Sequence, residues 1–407
     1  MKISSQTARR IAINAQLLDG RVKLAKGKEG AVQAIEMLGY VQIDSMSVIQ
    51  RAHHHTLWTR LPDYDPVTLH ELHAIDRRVF EYFGHALSYL PMKDFRFYLP
   101  RMHRFDDPYS KWEKERLARY GHLMKPVLKR FRQEGALGLS DFTPPETLAP
   151  GERNPNKAAI ELLQLKGDIF VSERRPSERV FDLAERVIPG DTDMRVPDDD
   201  ELGRFLVRRA LNAYGVATVS EIKDHIRTAR KNVVADALRE LQDSGEVATL
   251  RISENGDTEY FALSDSVEKL ARLRKMSPRL HLMSPFDNLI IQRSRISQIF
   301  DFDYSLECYV TPAKRKFGYL VHPILWDEML IGRLDPKADR KRKALIIRNL
   351  MVERMPKDSE QFLSAFAAKL SEFARFNDCE SLEFDGISPE RIRRPLERLM
   401  KNLGLIE

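Results

Sequence analysis

The block from residue 198 to 265 constrains the fold most, because three helical periods are followed there by two strand periods within one small unit. Leu202 to Tyr214 carries apolar residues at helical spacing. Thr218-Val219-Ser220-Glu221 is the signature of a capped second helix, and Val233 to Ser244 sets Val234, Leu238 and Leu241 on one face of a third. Glu246 to Ile252 and Glu259 to Leu263 read as strands, joined through Asn255-Gly256, a pair that accepts the positive φ angles of a tight hairpin turn. Three helices and a hairpin predict a winged helix, a unit whose third helix can enter a major groove.

A similar order precedes it. Ala158 to Leu165 is helical, Gly167 breaks the helix, and Asp168-Ile169-Phe170-Val171 leads through Arg174-Arg175-Pro176 to Val180-Phe181-Asp182. This predicts a second winged helix with a basic wing. The opening repeats the theme without a clean sequence period: helices over Ser5 to Leu18 and Lys28 to Leu38, a stop at Gly39, a strand over Tyr40 to Asp44, and a helix from Ser45 to Arg60. The segment from 62 to 125 reads as mixed helical. After Ser277 come strand-like runs, Leu280 to Met283, Leu306 to Val310, Tyr319 to Val321, Met329 to Leu334 and Ala344 to Ile347, which predict a small antiparallel sheet or barrel. Amphipathic helices over Glu360 to Phe376 and Pro389 to Leu403 follow. The expected class is α+β, divided at 1–125, 126–197, 198–276 and 277–407.

Charge adds little by itself. Lys plus Arg number 66 against 60 for Asp plus Glu in 407 residues, and the pI near 9.1 tilts the surface only mildly towards polyanions. Cys308 and Cys379 lack the pairing of a disulfide framework or zinc ribbon, which fits a reducing compartment. No leader-like or membrane-spanning apolar run is present, so a cytoplasmic protein is expected. Placement of the basic clusters says more. Arg174, Arg175 and Arg179 fall on the second wing, and Arg227 to Lys231, including Arg230, on the approach to a recognition helix. Lys314-Arg315-Lys316 falls on a predicted hairpin, with Arg340 to Lys343 further on. From such places side chains reach a duplex backbone, although each cluster alone also reads as a solvated face.

The triplet Gln42-Ile43-Asp44 carries the most chemistry. In a strand, Gln42 and Asp44 share one face while Ile43 turns to the core. A carboxylate beside an amide suits cleavage of an N-glycosidic bond. The carboxylate stabilises positive charge on the sugar and activates water, and the amide holds that water. Taken alone, the triplet favours a plainer reading, with Asp44 capping a helix that begins near Ser45. Next come Arg51-Ala52-His53-His54-His55 and Arg60. Adjacent helical histidines are splayed by about 100° and cannot converge on a metal ion, so no metal is expected. These side chains are instead candidate donors to phosphates or to a damaged nucleotide, or rings packed beside Trp58. His70 and His73 lack a third ligand and read as structural.

Several separated motifs together resemble the bacterial winged-helix DNA glycosylases related to YcaQ and AlkZ. The carriers are Tyr40 to Ser45, Arg51 to His55 with Leu57-Trp58, Phe80-Glu81-Tyr82 with His85 and Leu90-Pro91, Arg179 to Val187, Ser284 to Leu289, and Arg333 to Arg340. The resemblance implies three tandem winged-helix units around a C-shaped DNA-binding surface and a C-terminal antiparallel β-barrel. It implies Asp44 as the catalytic carboxylate with Gln42 as partner, in the Gln-x-Asp branch rather than the Gln-x-Gln one. N7-alkylguanine monoadducts and interstrand crosslinks in double-stranded DNA are the implied substrates, hydrolysed without cofactor by a monomer acting at the nucleoid. Phe83-Gly84-His85-Ala86 departs from the expected aromatic-Ala-His-acidic run, which leaves the pocket near His85 open. A transcription regulator is the rival reading, since winged helices mostly read sequence, but a carboxylate facing DNA is hard to justify in a pure binder. An RNA-binding role would need exposed aromatic platforms that the sequence does not display.

Overall fold

The computed structural model describes residues 1–105, 111–143, 154–175, 178–230, 232–271 and 277–406, apart from the side chains of Trp112 and of residues 268–271. Its fold is mixed α and β, with three small sheets and one large one.

Each small sheet joins a hairpin to one short strand. Val79–Phe83 and Leu87–Pro91 form the first hairpin, and Val41–Gln42 pairs with its second strand. Ile169–Arg174 and Arg179–Leu183 form the second, with Leu137–Gly138 alongside. Val247–Ile252 and Glu259–Leu263 form the third, with Lys2–Ile3 added in parallel. The helices before the third hairpin are Asp199–Tyr214, Val219–His225 and Val233–Asp243, and a capping box is present between Thr218 and Glu221. The loop joining that hairpin runs over residues 253–258 and is wider than the two-residue turn expected, although Gly256 does take a positive φ of 62°.

Four expectations need correction. Only Ala52–Trp58 of the Ser45 to Arg60 span is helical. Tertiary bonds claim the backbone before it: the Val48 carbonyl accepts from Ala338 N at 2.9 Å, and Gln50 N donates to Asn377 Oδ1 at 2.7 Å. The mixed-helical stretch after 62 contains the first hairpin, whose strands are buried on both faces and therefore show no alternation. Residues Glu307–Tyr309 form a 3₁₀ turn rather than a strand, and the strand expected at Tyr319 starts at His322. Finally, the C-terminal sheet is not a closed antiparallel barrel. It is an open half-barrel in the order Leu280–Leu282, His322–Trp326, Met329–Asp339, Ala344–Val352, Ser381–Phe384, with Ile387–Ser388 also on Ala344–Val352. The last two strands run parallel to Ala344–Val352 because the Ser359–Phe376 helix carries the chain back across the sheet.

The opening helix, Ser5–Ala15, does not pack with its own segment. Ala8, Ile11 and Ala12 share a core with Val216, Leu250, Ile252 and Met283. Leu38, Val41 and Trp58 share another with the C-terminal sheet and the Ser359–Phe376 helix. A fully buried ion pair ties these regions together: Arg60 Nη1 and Nη2 donate to Asp287 at 2.6 and 3.0 Å, and Arg60 also donates to Gln16 O, Gln16 Oε1 and Thr56 O.

Candidate active site

Gly39 ends the Gly27–Leu38 helix in the left-handed conformation, with φ 82°, and the chain drops straight into Val41–Gln42. Two contacts fix this short strand. Val41 and Gln42 lie opposite Tyr89 and Ser88, and the Tyr40 carbonyl accepts from Asn288 Nδ2 at 3.1 Å. Ile43 N extends the pairing to Leu87 O at 2.9 Å. The chain then turns, with Met46 N donating to Asp44 Oδ2 at 3.0 Å. Asp44 therefore caps a turn and not a helix.

Gln42 and Asp44 line one cleft of about 580 Å³. Its walls carry Arg51, Lys157, Arg174, Arg175 and Arg179, and its other carboxylates are Glu161 and Glu178. Ile43, Leu87, Ile160, Phe181 and Phe286 supply apolar surface. Ile43 thus lines the cleft while also packing on the core behind it. Burial pushes the Asp44 carboxyl up, opposed by the N–H groups of Met46 and Ser45 and by the Arg51 charge. A carboxyl shifted upward in this way is a stronger base than an exposed one. The Gln42 Oε1 is buried without a hydrogen-bond partner among the described residues. An acceptor in that state is short of roughly 1–3 kcal/mol of hydrogen bonding, which a donor entering the cleft can supply.

The structure brings the second hairpin to this cleft. Arg174 donates to the fully buried Glu81 through Nε and Nη2 at 2.5 and 2.8 Å, so that its guanidinium is fixed on the cleft wall. The Arg174 charge holds the Glu81 carboxyl below its ordinary range despite burial. Arg179 lies over the Phe181 ring at 5.0 Å, and the exposed Arg175 pairs with Glu173 at 3.3 Å.

Other expected DNA contacts are not brought here. His53, His55 and Arg60 lie in the core, so burial removes them as phosphate ligands. His55 Nε2 donates to Leu282 O at 2.7 Å, and its ring lies 5.5 Å from the Trp58 ring; His54 meets Tyr64 Oη at 2.8 Å. Burial lowers His54 and His55 to about 4, so both rings are neutral at physiological pH. Arg230 is exposed between the Val219–His225 and Val233–Asp243 helices, away from the cleft lining, and Lys231 lies outside the described residues. Lys314 and Lys316 are exposed on a 3₁₀ turn and the loop after it, not on a hairpin, while Arg315 donates to Val310 O at 2.9 Å. His85 fastens the first sheet to the Val219–His225 helix by its contact with Asp224 O at 2.6 Å. Among the described residues, no group of three or more His, Cys, Asp or Glu side chains is placed to hold a metal ion, and none of their helices is long and apolar enough to cross a membrane.

Two residues of the site were given no role from sequence. Glu81 enters only within the Phe80-Glu81-Tyr82 motif until the fold buries it beneath Arg174. Tyr309 lines the cleft with 82% of its surface exposed, yet the alternation around it suggests a half-buried strand.

A solved structure of the Streptomyces sahachiroi DNA glycosylase AlkZ superposes with a TM-score of 0.65, covering 95% of this chain and 100% of that one at 16% identity. That likeness shows a shared fold. The model of the AlkZ-like DNA glycosylases matches residues 35–376, a span that contains the Gln42–Asp44 strand and turn, the second hairpin and most of the half-barrel. The chain belongs to the AlkZ-like DNA glycosylase family, and it is a DNA glycosylase.

Proposed function

We propose that this enzyme hydrolyses the N-glycosidic bond of N7-alkylated purines in double-stranded DNA, with Asp44 and Gln42 as its catalytic pair. The observation that carries this is the placement of both side chains in one open, basic cleft. Water attacks the anomeric carbon as the bond to the purine breaks. Its proton passes to Asp44, and the electron pair of the broken bond neutralises the cationic base, which leaves without needing a strong acid. The Asp44 carboxylate stabilises the oxocarbenium-like charge on the sugar, and Gln42 accepts a hydrogen bond from the attacking water.

The cleft is wide and bounded by separate elements, which suits a base that cannot be swung into a closed pocket because it is tethered to both strands. Unhooking of interstrand crosslinks belongs to the proposal on that ground. Arg51, Arg174, Arg175 and Arg179, which line the cleft, neutralise the phosphates around the lesion. The three hairpin sheets, each with a short third strand, support reading the chain as three winged-helix units, and we place it in the Gln-x-Asp branch of the family by Gln42 and Asp44. The test is release of N7-methylguanine from methylated duplex DNA, beside Gln42→Ala and Asp44→Asn. Tight binding without release from methylated or crosslinked DNA would end this reading.

A further inference from the structure

The loop opposite the catalytic strand presents the most exposed large apolar side chain among the described residues, Tyr309, at the same cleft as Asp44. The Asp44 carboxylate is near enough to raise the Tyr309 hydroxyl pKa, after desolvation as the larger cause. An exposed ring on a flexible loop would mean little, but this loop is tightly fastened. Glu307, itself buried, accepts from three successive amides: Lys316 N at 3.1 Å, Phe317 N at 2.8 Å and Gly318 N at 3.1 Å. Asp335 takes the next two, Tyr319 N and Leu320 N, at 3.1 and 3.2 Å. Arg315 closes the other side through Val310 O and stacks over Tyr319 at 4.8 Å. Two buried or half-buried carboxylates thus hold a segment whose visible product is one aromatic face in solvent. Such a ring is pre-organised and loses little entropy when something stacks on it.

We infer that Tyr309 is the specificity-determining platform of the cleft, stacking on the cationic alkylated purine whose sugar is presented to Asp44. The inference rests on the glycosylase reading above. Positive charge on the base is attracted to the face of the phenol ring in a way a neutral purine is not. The stack is kept while the glycosidic bond breaks, so the contact is made about equally in the ground and the transition state. Tyr309 therefore governs capture of the lesion and not the rate of the chemical step.

Tyr309→Phe, Tyr309→Leu and Tyr309→Ala test this on the full chain, with the parent as reference and N7-methylguanine duplex as substrate. Because the side chain is 82% exposed, melting temperatures should coincide. Loss of base stacking predicts a KM raised roughly 5- to 100-fold in the Ala and Leu variants, with kcat within about 3-fold of the parent and the Phe variant close to it. Affinity for undamaged duplex should hardly change. A Leu variant equal to Phe, an Ala variant equal to the parent, a loss confined to kcat, or an equal loss on undamaged DNA would each overturn the inference. A parent that releases no base would instead overturn the glycosylase chemistry on which it rests.

Discussion

Replacing Asp44 by Asn removes one negative charge and keeps the shape. The side chain is half-buried, and its bond from Met46 N at 3.0 Å can be accepted equally well by an amide oxygen. Burial already penalises the charged form, so the folded protein gives up nothing by losing the charge. Melting temperature should hold or rise. Turnover should behave oppositely, because the proton acceptor and the anion facing the sugar are lost together. Loss of a general base alone accounts for about 10²- to 10⁴-fold in rate, or roughly 2.7–5.5 kcal/mol of barrier. Binding to duplex should tighten slightly, since a carboxylate no longer faces phosphates. Three readings on one preparation check this: N7-methylguanine release by mass spectrometry, anisotropy with labelled duplex, and thermal melting. An Asp44→Asn enzyme that releases base within about 3-fold of the parent rate would refute the assignment of Asp44, and one that melts far below the parent would refute the account of its burial.

The remaining predictions concern pH, the ion pairs and the cleft wall. Activity needs the ionised Asp44, whose carboxyl is raised above the ordinary range near 4, so kcat/KM should fall on acidification with an inflection above that range; for stability the sign is reversed, the buried charge costing its full amount above the folded pKa and nothing once the pH is below the unfolded value. Arg60→Ala leaves Asp287 buried and unpaired, and denaturant titration should show a loss of about 3–5 kcal/mol without any direct effect on the chemistry. Arg174→Ala likewise strands Glu81 and should lower both stability and DNA affinity. Arg175→Ala is exposed and should leave stability within about 0.5 kcal/mol of the parent, yet reduce the slope of log K against log salt by about 0.9. An unchanged salt slope would remove Arg175 from the DNA track.

Much of the scaffold was legible because its signals are local. The Thr218–Glu221 capping box, the helix stops at Gly39 and Gly167, and the helix–helix–helix–hairpin order at 199–263 depend on neighbours within a turn or two. The half-barrel was half legible: its long central strands alternate, but its parallel edge depends on a helical crossover that no strand pattern encodes. In the site, Gln42 and Asp44 were found from their chemistry and their resemblance to a family motif, although the strand stops at Gln42 and the turn at Met46 supplies the rest. The histidine run left two readings open, and only packing chose between them: His53 and His55 are core rings, His55 beside Trp58.

What the sequence by itself determined is the set of local elements and the presence of a carboxylate beside an amide after Gly39, since caps, turns and periodicity are written within a few residues. What only the tertiary structure decided is which polar side chains are buried and which face the cleft. Arg60 meets Asp287 across 227 positions, Arg174 meets Glu81 across 93, and the Tyr309 ring shares the cleft of Asp44 although far from it in sequence. Electrostatic and solvation energies depend on distance in space and on exclusion of water, and neither is fixed until the elements pack.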